Sequence, residues 1–196
     1  MAAGKVITGF SKPYVAIYNN ADGVVSYTKG QLLARGVSVD ISVDSSDDNI
    51  FYADNVSAEV SPGKFKSGTA KLTVDGLFLA AERLILGLPE AAEANGFTPS
   101  GDDQAIPYVG IGVIIRYQSD GAESFTPLIL AKTRFTQPGI TAKTQEENTE
   151  FQTQDLSATI LRDDTAKHNW RYIGTDVATE AAAESAIKTF LGIAAG

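Results

Sequence analysis

The stretch Arg35-Gly-Val-Ser-Val-Asp-Ile-Ser-Val43 alternates apolar and polar residues with a period of two. Such a period is typical of a β-strand whose side chains point to opposite faces in turn. The apolar face here is built of valine and isoleucine, whereas the wet face carries serine, Asp40 and, one residue beyond the stretch, Asp44. A strand of this kind predicts a sheet with one buried and one solvated side.

The residues that follow predict a meander that leads into a helix. A β-rich run covers 51–60, and 69–75 alternates again. Apolar residues then recur at helical spacing over 77–86, which indicates an amphipathic helix with one stripe against the sheet. We expect its N-cap to be Asp75 or Gly76.

The rest of the chain has the same character. Further strands are predicted at 14–18, 24–27, 106–118, 127–135, 149–162 and 168–173. Turns rich in Asn, Asp and Gly separate them, notably at 19–23 and 119–123. Gly110 and Gly112 lie inside a strand and indicate that another layer packs closely there. A second helix is predicted at 177–191, with Asp176 as its cap and Gly192 as its stop.

These elements predict a mainly β fold: an antiparallel β-sandwich or open barrel with one flanking helix and a C-terminal helix. We expect the whole chain, 1–196, to form a single domain. Within it we expect an N-terminal arm at 1–12, a long polar loop at 136–148 and a C-terminal segment at 175–196.

Composition excludes some classes of function. The net charge is −8 and the pI is about 4.6, whereas a free-standing nucleic-acid binder is usually basic. The chain has no cysteine, which excludes disulfides and thiol chemistry. We expect no signal peptide, because residues 1–6 have no apolar core, and no membrane span. The expectation is a protein made and kept in a cytoplasm until it assembles.

No pattern indicates catalysis or a metal site. Asp44, Asp47 and Asp48 lack the spacing of a calcium loop. His168, the one histidine, has no accompanying nucleophile and carboxylate motif. Glu146-Glu147 lies in a polar loop, where adjacent acids rarely share a pocket. We therefore expect no enzyme, no cofactor and no bound metal.

An ordered set of motifs carries a resemblance over nearly the whole chain. The most specific are Asp47-Asp-Asn-Ile-Phe-Tyr-Ala-Asp54 and 68–76, which ends in Leu-Thr-Val-Asp-Gly. The others are 5–14, 27–31, 34–39, 81–82, 84–87, 150–153, 161–163 and Trp170. Together they resemble the major tail proteins of long-tailed bacteriophages. No appended immunoglobulin-like domain, which some relatives carry, is visible, and the Ala-rich tail from Val177 matches nothing specific.

The resemblance implies a structural virion protein. Such tail-tube subunits form hexameric rings that stack into a hollow tube, with a β-sandwich and a flanking helix similar to the tube proteins of contractile tails and type VI secretion. The implied partners are further copies of the chain, the tape-measure protein, the tail terminator and the distal tail or baseplate proteins. DNA passes through the lumen without specific binding.

Two sets of residues are candidates for these roles. Acids facing the lumen would repel DNA phosphates, and the candidates are Asp40, Asp44, Asp47 and Asp48. Apolar or polar residues in segments that reach the next ring would make inter-ring contacts, and the candidates are Val6, Ile7, Phe10, Ile50, Phe51, Gln137, Ile140, Glu146 and Glu147.

Two alternatives remain open on the sequence. The first is another ring-forming phage tail part, a terminator or connector, which caps a tube and does not polymerise by itself. The second is a β-sandwich binding module unrelated to phages, on a cell surface or secreted; the absence of a signal segment and of cysteine counts mildly against it.

Overall fold

The computed structural model describes residues 4–53, 56–89, 96–102, 104–144 and 151–194. Ten strands and two helices lie within these ranges. They are β1 Val6–Ala21, β2 Val24–Leu32, β3 Gly36–Ser45, β4 Asn49–Ala53, β5 Val56–Ser61, β6 Phe65–Val74, α1 Leu79–Leu86, β7 Val109–Ser119, β8 Ala122–Phe135, β9 Gln154–Leu161, β10 Arg171–Ile173 and α2 Glu180–Phe190.

Eight of the strands form one antiparallel sheet in the order β2-β1-β7-β8-β9-β6-β3, with β10 paired to β8. β4 and β5 form a separate two-stranded sheet. The turns Asp22-Gly23 and Asp120-Gly121 have positive φ at both residues, as two-residue hairpin turns of type I′ require. The predicted mainly β fold with a flanking helix and a C-terminal helix is confirmed.

The sheet curls around the main core, so the two ends of the strand order approach each other. The ring of Phe10 in β1 lies against Gly36 in β3, where a Cβ atom would come within 2.2 Å of the ring. Helix α1 packs onto the same core through Ala81, Ile85 and Leu86. The largest fully buried side chains of this core are Leu33, Leu72, Ile85, Leu86, Ile111, Leu130, Phe135, Leu156 and Ile160.

Helix α2 packs on the other side of the sheet and forms a second core with β1, β7 and β8. Its Ile187 and its C-cap residue Leu191 are fully buried. The strand face that receives them carries Gly110 and Gly112, and a Cβ at Gly112 would lie 2.4 Å from Cγ2 of Ile187. The predicted close approach of another layer at these glycines is confirmed, and the layer is α2.

Both predicted helix caps are wrong. α1 follows Phe78, which makes no side-chain cap hydrogen bond. Asp75 instead accepts a hydrogen bond of 3.0 Å from the backbone N–H of Arg35 and ties the start of β3 to the end of β6. α2 is capped by Thr179, whose hydroxyl oxygen accepts from a backbone N–H of the first turn at 3.3 Å. Asp176 instead pairs with Lys5, just before β1, and accepts a hydrogen bond from the hydroxyl of Thr126 in β8.

Two strand predictions also need correction. Residues 51–60 belong to two strands, because β4 ends at Ala53 and β5 begins at Val56. The strand predicted at 14–18 is part of a longer one, because β1 begins at Val6 and passes through Pro13. The strand accommodates Pro13 by a register shift between Ser11 and Tyr14, with Lys12 at φ 48°; such a bulge is one of the few places where proline fits within a sheet.

Candidate assembly surface

β2 and β3 are the two long edge strands of the large sheet, at the two ends of its strand order. Within the described residues each pairs on one side only, so the other side presents backbone N–H and C=O groups to solvent. The face of β3 predicted to be buried is only half covered, since Val39 and Ile41 pack on the core whereas Val37 and Val43 are exposed. A ten-residue edge strand with exposed valines is suited to pairing with another chain.

The β4–β5 hairpin carries a group of exposed apolar side chains. Phe51 is 64% exposed and Tyr52 62% exposed, and Ile50 and Val60 are exposed beside them. Exposed aromatic and branched side chains in a group mark an interaction surface more often than single ones do. Ile50 and Phe51 therefore lie where a contact with another subunit is possible.

The root of this hairpin is held by hydrogen bonds. The carboxylate of Asp48 accepts from the N–H of Gly63 at 2.7 Å. Ser46 and Lys64 form two hydrogen bonds. The backbone N–H of Ser46 donates to the carbonyl oxygen of Lys64 at 2.8 Å, and the backbone N–H of Lys64 donates to the hydroxyl oxygen of Ser46 at 2.9 Å. Gly63 has no room for a side chain, because a Cβ would lie 1.7 Å from the carbonyl oxygen of Ser46.

Two of the acidic lumen candidates share one sheet face. Asp40 and Asp44 are exposed on the polar side of β3, opposite Lys71 and Ser67 of β6 in the register. We call this surface the polar face; it consists of Ser38, Asp40, Ser42, Asp44, Ser67, Thr69, Lys71, Thr73, Asp155, Ser157 and Thr159. Asp47 and Asp48 lie beyond the strand, in the loop before β4.

The polar face is less acidic than the whole chain suggests, because Lys71 lies among its three acids. Seven of the 24 acidic residues, but none of the 16 basic ones, fall outside the described ranges. They are Asp54, Glu90, Glu93, Asp103, Glu146, Glu147 and Glu150. Nearly all of the net charge of −8 therefore comes from these segments and not from the sheet.

The N-terminal candidates lie in the sheet. We expected residues 1–12 to form an arm, but Val6 and Ile7 are paired with β7, opposite Gln118 and Tyr117. Their side chains are exposed, whereas Phe10 is half-buried against the main core. Phe10 is therefore committed within its own subunit, because its ring fills the space that Gly36 leaves.

Ion pairs lock this N-terminal part of β1 to the C-terminal segment. Lys5 lies 2.5 Å from the carboxylate of Asp176. Glu184 of α2 pairs with Lys12 and with Lys188, and it accepts a hydrogen bond of 2.6 Å from the hydroxyl of Tyr14. These three donors, Lys12 first, hold the pKa of Glu184 down at about 2.

Glu184→Gln is expected to lower the free energy of unfolding at pH 7 by an amount on the order of 2 kcal/mol. A carboxyl group whose pKa is lower in the folded state stabilises fully above its unfolded pKa, here near the ordinary 4.5. That stabilisation is lost as the pH falls from about 4.5 toward about 2.

Urea unfolding of wild type and variant at pH 7 and at pH 2 measures this effect. The difference between the two proteins should shrink at the lower pH. Glu82→Gln on α1, whose carboxylate has no ion pair among the described residues, is the matched control and should show a small, pH-independent difference. If Glu184→Gln lowered the free energy of unfolding equally at both pH values, the ionised carboxylate of Glu184 would not be the source of the stabilisation.

The loop after β8 is described as far as Thr144. Thr136 donates its N–H to the carbonyl of Ser157 at 2.9 Å, Gln137 is exposed and Ile140 is 88% exposed. These last two inter-ring candidates are thus available for contact. Glu146 and Glu147 lie outside the described residues.

A cluster of cations lies at the C-terminal end of β9, near Leu161. The sequence alone did not predict it. Lys64, Lys66 and Arg162 line one shallow depression with Phe65, and we call these three residues the basic patch. Phe65 stacks face to face on Trp170, with ring centroids 4.8 Å apart. Arg171 lies 4.5 Å from the centre of the Trp170 ring and adds a fourth positive charge beside the patch.

His168 lies in the loop that precedes β10, at φ 52°. Its Nδ1 is 3.4 Å from the carbonyl oxygen of Asp163. The carboxylate of Asp163 is buried and accepts hydrogen bonds from Tyr172 at 2.8 Å and from Thr165 at 2.7 Å. These contacts hold the loop against β10, so His168 and Asp163 have a structural role.

No protein-family model matches the chain, and a search of the curated proteins gave no match. Among the described residues, no helix is long and apolar enough to cross a membrane. Those residues likewise contain no group of three or more His, Asp or Glu side chains placed to hold a metal ion.

Proposed function

We propose that this chain is a tube-forming structural protein of the phage-tail type. Its subunits would form rings of six that stack into a hollow conduit. The tape-measure protein would fill the conduit first and DNA would pass later, while a tail terminator and distal tail proteins would close its two ends. The subunit would assemble in the host cytoplasm and function in the virion. It would need no enzymatic activity or cofactor.

The observation that carries the proposal is that one curled sheet has two unpaired edges, β2 and β3. In a single subunit these edges invite unspecific pairing. If β3 of one copy paired with β2 of the next, the sheets would join, and closure of the ring would leave neither of these two edges exposed. A head-to-tail contact of this kind gives a closed ring when its rotation closes.

Stacking needs a second surface, and the hairpin β4–β5 supports it. The hairpin forms a sheet of its own, its root is fixed at Gly63, and it exposes Phe51 and Tyr52. A rigid arm with an apolar surface can bury that surface against the next ring, which would stabilise the stack through the hydrophobic effect.

Negative-stain electron microscopy of the purified protein at rising concentration tests the proposal, with light scattering to measure mass. Hollow tubes with six-fold end views are the expected result. Rings that never stack would favour a terminator or connector instead. Monomers at every concentration, with no rescue by tape-measure or initiator proteins, would overturn the proposal and favour a binding module.

Asp40→Lys combined with Asp44→Lys is expected to slow DNA release while tubes still assemble. The two substitutions would make the polar face positive, so that it would attract DNA phosphates. DNA release from purified phage carrying the double variant measures the effect, and it should weaken as salt rises.

The control for this variant is Asp102→Lys, which reverses one exposed charge away from the polar face. It should leave the release rate unchanged. Unchanged release in the double variant would show that the polar face does not line the lumen.

A further inference from the structure

The strand order of the large sheet determines the relative directions of its two long edge strands. Every neighbouring pair along the order β2-β1-β7-β8-β9-β6-β3 is antiparallel. The order contains seven strands, so the direction reverses six times from one end to the other. Because six is an even number, β2 and β3 run in the same direction along the sheet.

The link between β2 and β3 gives the same direction independently. Only residues 33–35 separate the end of β2 from the start of β3. Leu32 is paired with Tyr14 of β1, and Gly36 packs on the ring of Phe10, further back in the same strand. The chain thus moves forward from Leu32 to Gly36 while its neighbours in β1 move backward. β3 therefore continues in the direction of β2.

The symmetry of a ring carries this direction to the joint between two copies. In a ring of six, each copy is rotated by about 60° from its neighbour. Such a rotation turns the direction of any strand by no more than that angle. β3 of one copy and β2 of the next then stay closer to parallel than to antiparallel. Two copies of β3 related by a two-fold axis perpendicular to the sheet would pair antiparallel instead.

Both edge strands are regular over a limited length. β2 pairs regularly from Val24 to Thr28, because its register with β1 shifts beyond Thr28 and Lys29 has φ 53°. β3 pairs regularly from Ser38 to Asp44, between the two register shifts that interrupt its pairing with β6. A bulge disrupts the hydrogen-bond ladder locally. A joint between copies can therefore use the five residues 24–28 of β2.

We infer that the joint between neighbouring copies in a ring is a parallel strand pair, with residues 24–28 of one copy beside residues 38–44 of the next. This inference rests on the proposed function, because it takes β2 and β3 to join copies around a ring. The joint differs from the strand pairs described within one copy, which are all antiparallel. Parallel ladders are slightly less stable per residue, so the joint should open before the sheet of a subunit does.

Four exposed apolar side chains distinguish the two directions. Val24 begins β2 and Leu32 ends it, whereas Val37 lies near the start of β3 and Val43 near its end. A parallel joint brings Val24 toward Val37 and Leu32 toward Val43. An antiparallel joint brings Val24 toward Val43 and Leu32 toward Val37. Val37 and Val43 are about 20 Å apart along the strand, so the two arrangements are well separated.

Cross-linking between copies tests the direction, since the chain has no cysteine of its own. Val24→Cys protein is mixed with Val37→Cys or with Val43→Cys protein at a concentration where tubes form. A bismaleimide that spans about 8 Å, little more than two residues along a strand, is then added. Each chain carries one cysteine, and a size tag on one protein identifies heterodimers, so every heterodimer reports a contact between copies.

The mixture of Val24→Cys with Val37→Cys is expected to give about fivefold more heterodimer, or better, than the mixture with Val43→Cys. Leu32→Cys should show the reverse preference. Lys167→Cys, at an exposed lysine in the loop before β10, replaces Val24→Cys in the matched control and should give little heterodimer with either partner. Circular dichroism establishes that each variant is folded.

The outcomes separate the inference from the proposed function. Tubes in which the Val24–Val43 and Leu32–Val37 pairs dominate would overturn the parallel joint and leave the tube proposal standing. So would tubes whose yields do not exceed the Lys167→Cys control, or a dominant heterodimer between Val37→Cys and Val43→Cys, which a two-fold pair of β3 strands would give. Dominant Val24–Val37 cross-links in rings that never stack would support the parallel joint and overturn the tube proposal.

Discussion

Replacing Ile50 and Phe51 with aspartate is expected to abolish tube formation and to leave the subunit folded. Both side chains are exposed on the β4–β5 hairpin, which forms a sheet separate from the large one. Burying a charge in an apolar contact without a partner is very unfavourable, so a contact between rings would not survive the change. Circular dichroism should be unchanged, and electron microscopy should show no tubes at concentrations where the wild type forms them.

The matched control is Phe78→Asp, which also removes an exposed aromatic side chain. Phe78 is 78% exposed and occupies the N-cap position of α1, where aspartate is favourable. This variant should fold and assemble. Tubes of normal length from the hairpin variant would show that Ile50 and Phe51 make no contact between rings.

Gly112→Val is expected to lower the free energy of unfolding by about 3 kcal/mol or more, because the site is already filled. The new Cβ would lie 2.4 Å from Cγ2 of Ile187 and 3.2 Å from Cδ1 of Leu191. Cγ2 is attached directly to the branched Cβ, so Ile187 cannot turn aside and α2 has to move away from the sheet. Urea unfolding followed by circular dichroism measures the loss.

Gly101→Val is the control for this prediction, because no atom lies within 4 Å of the Cβ position at Gly101. Its effect should stay within about 0.5 kcal/mol, as for most surface substitutions. If Gly112→Val were equally mild, α2 would not be packed against β7 in solution.

The sequence was informative wherever one local pattern determined the structure. The strand predicted at 106–118 corresponds to β7, and Gly110 and Gly112 predicted the layer that packs on one of its faces. The turn Asp120-Gly121 marked the β7–β8 hairpin because both residues tolerate positive φ. In each case neighbouring residues carry the whole signal.

Other predictions failed because a distant partner determined the outcome. Asp75 is a good cap by type, yet Arg35, forty positions away in the sequence, holds its carboxylate. The strand predicted at 14–18 began after Pro13, but pairing with β7 and a bulge at Lys12 let β1 continue through that residue. Such long-range contacts override local preference.

Some residues of the candidate assembly surface were likewise visible in the sequence, and others were not. The exposed apolar residues Ile50 and Phe51 were visible in the sequence within the motif 47–54, and Asp40 and Asp44 of β3 were visible as the polar half of an alternation. The basic patch was not, because Lys64 and Lys66 come from the start of β6 and Arg162 follows β9. Only the pairing of β6 with β9 brings these residues together.

The stack of Trp170 on Phe65 places the only tryptophan of the chain next to the basic patch. The indole is half-buried, so its fluorescence depends on how much water reaches that depression. Covering that depression by any partner would shift the emission to shorter wavelength and shield the ring from a soluble quencher such as acrylamide. The protein therefore contains an intrinsic optical probe, with no label needed to follow in real time any partner that covers this depression.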